Sequence, residues 1–128
     1  MMLIGNGVDL LEIERIEAIL KKRPHFIERY FTENERAYFE MKHMKAETIA
    51  ATFSAKEAVS KAFGTGVRGF ELKEIEVLRD ELGKPYIILH GKAKCLAESL
   101  KIAELQLSLS HSKKMVIAFV IAIGGHKG

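Results

Sequence analysis

Apolar and polar positions alternate over residues 3–11, which predicts a strand, because successive side chains of an extended chain point to opposite faces. Ile4, Val8 and Leu10 share one face, while Gly5, Gly7, Asp9 and Leu11 share the other. Glycine weakens a strand and commonly marks a place where a ligand or another stretch of backbone comes close. Asp9 therefore stands at the end of a face cleared of side chains. Over residues 12–22 the period changes. Ile13, Ile16, Ile19 and Leu20 recur at three and four residues, the spacing of an amphipathic helix. Pro24 ends that helix and opens a short second one, since proline suits a first helical turn. "TENE" at residues 32–35 is a capping box, with Thr32 as the cap and Glu35 reaching back, and predicts a helix to about His43.

The longest predicted helix covers residues 46–63. Ala51, Ala55, Ala58 and Ala62 form a small-residue stripe that permits close packing, and Phe53, Val59 and Phe63 supply bulk. "GTG" at 64–66 terminates it. A strand at 75–78, a turn in "RDELGKP", a returning strand at 86–89 and a helix at 92–101 follow. The chain closes on a hairpin. Leu105, Leu107 and Leu109 alternate with Gln106, Ser108 and Ser110, "HSKK" turns, and residues 115–123 return as a strand apolar on both faces. Such a strand is expected to be buried on both, under helices or in a subunit interface. Residues 124–128 read as a frayed tail. The pattern describes one α+β domain over residues 1–128, a small antiparallel sheet with a long central helix.

A chain of 128 residues can bury about two-thirds of its unfolded surface. With 48% hydrophobic and 29% charged residues it is not a mainly disordered chain. No apolar run approaches the ~18 residues of a membrane span, and the opening residues lack the basic start and cleavage site of a signal peptide. A cytoplasmic location is the expectation. The single thiol, Cys95, cannot form an internal disulfide and reads as a semi-buried helix residue in a reducing compartment. The net charge of +3 is too mild for a nucleic-acid binder. Its distribution says more: "KKRPHFIER" gathers Lys21, Lys22, Arg23 and Arg29, either as a solvated basic face or as a docking patch for an acidic partner.

Lys56, Glu57, Ser60 and Lys61 cluster on the alanine-striped helix. Glu57 and Lys61, four apart with the acid first, suit a helical ion pair. With Asp9 they also suit a second reading. Magnesium needs one or two carboxylates, with substrate phosphates and water completing its shell. Asp9 and Glu57 offer the carboxylates, Lys61 a point charge for a phosphate, and Gly64 and Gly66 a backbone that a phosphate can approach. His111, flanked by Ser108, Ser110, Ser112 and Lys113, is either plain surface or an anion contact. No zinc-spaced His/Cys cluster, P-loop, GxGxxG or serine triad is present.

"GVDLLEIERI", "FSAKEAVSKAFGTG", "ELGKPYIIL" and "LSLSHSKKMVIAFV" together resemble holo-acyl-carrier-protein synthase, a group I 4′-phosphopantetheinyl transferase, in order and spacing over about residues 3–123. The resemblance implies the fold of that family, in a trimer with active sites between subunits. It implies transfer of 4′-phosphopantetheine from coenzyme A to a serine of an apo acyl carrier protein, dependent on Mg²⁺, with release of adenosine 3′,5′-bisphosphate, in support of fatty acid synthesis. Asp9 and Glu57 match the magnesium ligands and Lys61 the lysine beside the pyrophosphate. Gly64, Gly66, Pro85 and His111 match positions lining the coenzyme A pocket. Arg15, with Arg23 and Arg29, matches the surface that grips the acidic carrier. Glu57, through a water, is the nearest candidate for the base. In one place the chain departs from the family: Thr52 stands where an arginine usually precedes the phenylalanine. Lys45, Arg68 and Lys84 are the candidates to replace that guanidinium. Two other functions share these features: a non-catalytic module that holds an acidic partner, and a magnesium-dependent phosphohydrolase.

Overall fold

Helix α4 (Ala46–Ala62) lies across a three-stranded antiparallel sheet and gives the fold its core. The computed structural model describes residues 2–125. Strand β1 (Met2–Glu12) leads into α1 (Ile13–Lys22), α2 (Phe26–Tyr30), α3 (Glu33–Met41) and then α4. After a 3₁₀ turn (Leu72–Glu74) come β2 (Ile75–Arg79), β3 (Pro85–Leu89), α5 (Gly91–Ser99), β4 (Ile102–His111) and β5 (Met115–Gly124). The large sheet has the order β1-β5-β4, and β2 and β3 form a separate antiparallel pair. The fold is thus α+β with two small antiparallel sheets where the pattern suggested one.

The alanine stripe seats α4 on the sheet. Ala55, Ala58, Val59 and Ala62 pack with Ala118, Val120 and Ala122 of β5, all buried. A second cluster, with Ile16, Phe26, Phe31, Phe39 and Ile49, fills the space under α1, α2 and α3, and Phe53 packs against both. The glycines of β1 answer the question that they raised. A Cβ on Gly7 would overlap the carbonyl oxygen of Ala58, and one on Gly5 that of Ala62. Backbone is what comes close on this face, and that backbone is α4.

The capping box forms as read: Thr32 accepts from the Glu35 N–H at 3.2 Å, and the Thr32 N–H donates to Glu35 Oε1 at 2.9 Å. Glu35 does more than cap. It is buried, and so is Lys56, whose ammonium donates to Glu35 Oε1 at 2.8 Å, to the Leu72 carbonyl at 3.1 Å and to the Ile75 carbonyl. The other Glu35 oxygen accepts the Val77 N–H at 2.8 Å. Burial pushes the Glu35 carboxyl up and the Lys56 ammonium down, against the pull of their own pairing. Lys56 therefore leaves the charge cluster of α4 and ties that helix to α3 and β2.

Several expectations change. Within the single chain helices cover only one face of β5, since Ile117 and Phe119 point away from α4 and are exposed, which leaves a subunit interface as the remaining way to bury the other. They stand opposite Leu10 and Val8 of β1, which are exposed as well. Ile4 does not share the face of Val8 and Leu10. The register shifts between Leu3 and Gly5, and Ile4 packs against the core. α3 stops at Met41 because His43 and Met44 adopt positive φ, 58° and 54°. Cys95 is exposed on α5, not semi-buried. Gly124 is the last residue of β5, paired with Met2 and Ile102, not part of a frayed tail; residues 126–128 lie outside the described residues.

Because the missing Cβ of Gly7 is filled by helix backbone, which has nowhere to retreat, Gly7→Ala should cost about 1–3 kcal/mol as an overpacking change. The expected result is a lower urea midpoint with an unchanged m-value. A wild-type midpoint would show that β1 can lift from α4 without penalty.

Candidate active site

Ser54, Glu57 and Lys61 succeed one another at three and four residues, so they share one flank of α4. β1 lies along that flank, and Asp9 is the residue it presents there. The Ser54 hydroxyl donates to Asp9 Oδ2 at 2.7 Å. The Lys61 ammonium lies 3.2 Å from Asp9 Oδ1 and donates to the Val8 carbonyl at 2.9 Å. Lys61 therefore does not close the ion pair with Glu57 that its spacing offers; it crosses to the strand.

Glu57 is left with its carboxylate unpaired among the described residues. Its carboxyl is pushed above the ordinary glutamate range, first by burial and then by the neighbouring charge of Asp9, with Lys61 opposing. Two carboxylates against one ammonium leave a net negative charge at a half-buried spot. Among the described residues no group of three or more His, Cys, Asp or Glu side chains converges. A pair of hard oxygen donors, short of positive charge, fits magnesium, which takes one or two carboxylates and fills its shell with water and phosphate.

Glu57 also borders a cleft of about 500 Å³. It is lined by Arg15 and Ile19 of α1, Arg23 just after that helix, Phe26, Arg29 and Tyr30 of α2, Phe53 and Glu57 of α4, Val67, Phe70 and Glu71 from the loop after α4, and Leu72 of the 3₁₀ turn. Phe26 packs on Tyr30 and Phe53 with ring centroids 5.1 and 5.4 Å apart, and the Arg29 guanidinium sits 5.5 Å from the Tyr30 ring centroid. The arginines of "KKRPHFIER" and Arg15 thus rim an aromatic-walled cleft that reaches Glu57.

The remaining candidates lie apart from this cleft. Gly64 and Gly66 take positive φ, 80° and 64°, with open space where a side chain would point. They shape the loop that brings Val67 and Phe70 to the cleft. His111 is the last residue of β4 and not part of the turn, with Nε2 3.6 Å from Glu47 Oε1. Pro85 opens β3 directly opposite Arg79.

Arg79 is the basic residue that meets Thr52 in the fold, and sequence reasoning did not name it. Thr52 is fully buried, and its hydroxyl donates to the Thr48 carbonyl at 3.0 Å and accepts from Arg79 Nη1 at 2.9 Å. The guanidinium lies 4.6 Å from the Tyr38 ring centroid and makes no ion pair with a carboxylate among the described residues. Burial lowers its pKa, with Tyr38 and Glu35 opposing. Lys45 stands at the N-cap position of α4 without a side-chain cap bond, Arg68 sits in the loop after the helix, and Lys84 lies in the β2–β3 turn; none of the three bonds to Thr52 among the described residues. Ser54 was missed too, although its place three residues before Glu57 and seven before Lys61 marked it. No spacing in the sequence points to Arg79, which meets Thr52 only in the folded chain.

Residues 5–120 match the family described as ACPS, the 4′-phosphopantetheinyl transferase superfamily. A holo-[acyl-carrier-protein] synthase from Caldanaerobacter subterraneus subsp. tengcongensis is 49% identical over 124 residues, which is 97% of this chain and 98% of that protein. The fold superposes on the crystal structure of holo-[acyl-carrier-protein] synthase from Neisseria meningitidis with a TM-score of 0.89 at 34% identity, covering 95% of this chain and 99% of that one. It superposes on the Bacillus anthracis holo-(acyl-carrier-protein) synthase in complex with CoA (3′,5′-ADP) with a TM-score of 0.80 at 37% identity, covering 98% and 100%.

Proposed function

The chain belongs to the 4′-phosphopantetheinyl transferase superfamily, and from that premise we propose that it transfers 4′-phosphopantetheine from coenzyme A to a serine of an apo acyl carrier protein, with magnesium. It is an enzyme of the holo-[acyl-carrier-protein] synthase type. The observation that carries the finer reading is the Asp9–Glu57 carboxylate pair, with Lys61 beside it, at the edge of an arginine-rimmed cleft.

In this mechanism the carrier serine oxygen attacks the phosphorus that bears pantetheine, the pyrophosphate P–O bond breaks, and adenosine 3′,5′-bisphosphate leaves. A magnesium ion held by Asp9 and Glu57 would neutralise charge developing across the pyrophosphate. Lys61 adds a point charge on the same side. Its half-exposed side chain is free to turn from Asp9 to a phosphate oxygen. Glu57, which borders the cleft, is the group we assign to take the serine proton, through a water. Arg15, Arg23 and Arg29 hold the acidic carrier over the cleft, and Phe26, Tyr30 and Phe53 give it an apolar floor. The product supports fatty acid synthesis in the cytoplasm. No helix among the described residues is long and apolar enough to cross a membrane. A module that only held an acidic partner would use the arginines and leave the carboxylate pair without a task. A phosphohydrolase would leave the arginine rim of the cleft without a task.

Val8, Leu10, Ile117 and Phe119 form an exposed apolar patch on the sheet. We assign it to the contact between subunits of a homotrimer, in which Gly64, Gly66, Pro85 and His111 serve coenzyme A at a shared site. Arg79, on the Thr52 hydroxyl and opposite Pro85, supplies the guanidinium that position 52 lacks.

Incubated with coenzyme A, Mg²⁺ and apo carrier, the protein should add one phosphopantetheine to the carrier by mass spectrometry. EDTA or Asp9→Ala should abolish the gain, and full activity in either case would overturn the metal reading. Sedimentation at micromolar concentration should give a trimer, and a monomer there would overturn the shared site. Arg79→Ala should raise KM for coenzyme A about tenfold or more, the scale of a lost charge-assisted hydrogen bond, and leave KM for the carrier unchanged. Thr52→Arg in that background should recover part of the loss. An unchanged KM would assign Arg79 to packing alone.

A further inference from the structure

Three hydroxyl side chains on α4 are buried, and they are used in two ways. Thr52 donates to the carbonyl four residues back, and Ser60 to the carbonyl three residues back, at 3.0 and 2.8 Å. These are the local bonds that hydroxyl residues make inside helices. Ser54 does not bond back. Its hydroxyl leaves the helix and crosses to β1, 2.7 Å from Asp9 Oδ2 and 3.2 Å from the Asp9 carbonyl oxygen.

The two oxygens of Asp9 are therefore held by unlike groups. Oδ2 is bonded to a serine that is 0% exposed, in the middle of a rigid helix. Oδ1 faces an ammonium whose side chain is 52% exposed, on a long flexible stem. A buried hydroxyl fixed by its own backbone cannot follow a ligand exchange, whereas an exposed lysine can. The cleft side of Asp9 also carries Glu57, unpaired among the described residues, so the ammonium is the cation that offsets two neighbouring carboxylates.

We infer that Ser54 is a positioning residue that fixes Oδ2 of Asp9 and reserves Oδ1 for the metal, and that Lys61 is a placeholder on Oδ1 which a divalent cation displaces. This rests on the magnesium reading above and deepens it. Release from Asp9 is then the event that frees Lys61 for a phosphate, so metal loading and substrate clamping are one step. The two residues should act on metal affinity with opposite signs. Loss of Ser54 frees the Asp9 carboxylate to rotate and weakens binding. Loss of Lys61 removes a competitor and tightens it.

The test is Mn²⁺ binding by the full chain, followed by electron paramagnetic resonance of the free ion, with neither coenzyme A nor carrier present. Ser54→Ala should bind Mn²⁺ about tenfold more weakly, the usual cost of losing a partner behind a metal ligand. Lys61→Met should bind it severalfold more tightly while losing transfer activity. Wild-type affinity in Ser54→Ala, or weaker binding in Lys61→Met, would overturn the inference. Should Ser54→Ala lose its folded circular dichroism, Ser54→Cys, a weaker donor of similar size, carries the same expectation. A wild-type chain that binds no Mn²⁺ sinks both the metal reading and this inference. One that binds Mn²⁺ with these opposite shifts, yet transfers nothing, sinks the transferase reading and leaves the clamp standing.

Discussion

The contact between the backbones of β1 and α4 is the constraint on which the rest of the site depends. Two glycines and two alanines bring strand and helix so close that a single added methyl group would meet a carbonyl oxygen. At an ordinary helix-on-sheet spacing of about 10 Å, the short side chains of Asp9 and Ser54 would not meet. The 2.7 Å bond between them measures how completely the gap is closed. Lys61, a longer side chain one turn beyond Glu57, then reaches back over the strand edge to the Val8 carbonyl.

The same helix solves a problem of charge. α4 is central, and most of its residues are buried, including Lys56. A lysine ammonium in such a place needs a compensating carboxylate and further acceptors, or it must give up its proton. Glu35 and the Leu72 and Ile75 carbonyls meet that need. Glu57, the next residue, is turned about 100° around the helix and finds no such partner among the described residues. Adjacent charges on one helix thus separate into a closed pair that ties elements together and an open carboxylate at the cleft.

The elements that were legible in the sequence are those whose signal is local. The strand alternation of β1, the three-and-four period of α1 and the capping box of α3 each report on a few neighbouring residues, and each appears where the pattern put it. The glycine pair told of a close approach but not of what approached. What escaped depends on residues far apart in the chain. Lys56 looks like any surface lysine, and Arg79 has no spacing to distinguish it from other basic residues. Their partners lie 21 and 27 positions away. Asp9, Glu57 and Lys61 were legible as a set through the family resemblance more than through any pattern, since a strand aspartate and a helix glutamate carry no shared period.

The outward face of the sheet is the surface assigned above to a neighbouring copy. Along β5 every second residue is committed to α4, and the alternate set is apolar too: Ile117 faces Leu10 across the strands, and Phe119 faces Val8. Across from the same two residues β4 places Ser110 and Ser108. The apolar patch is therefore bounded on one side by polar strand residues, as an interface with a rim would be. Pro85 and His111 lie outside the cleft that Glu57 borders, at the ends of β3 and β4. His111 pairs with Val116, and Val116 with Leu11, so β5 stands between His111 and the end of β1 that carries Asp9. In the trimer proposed above, burial of the apolar face would supply the free energy of assembly.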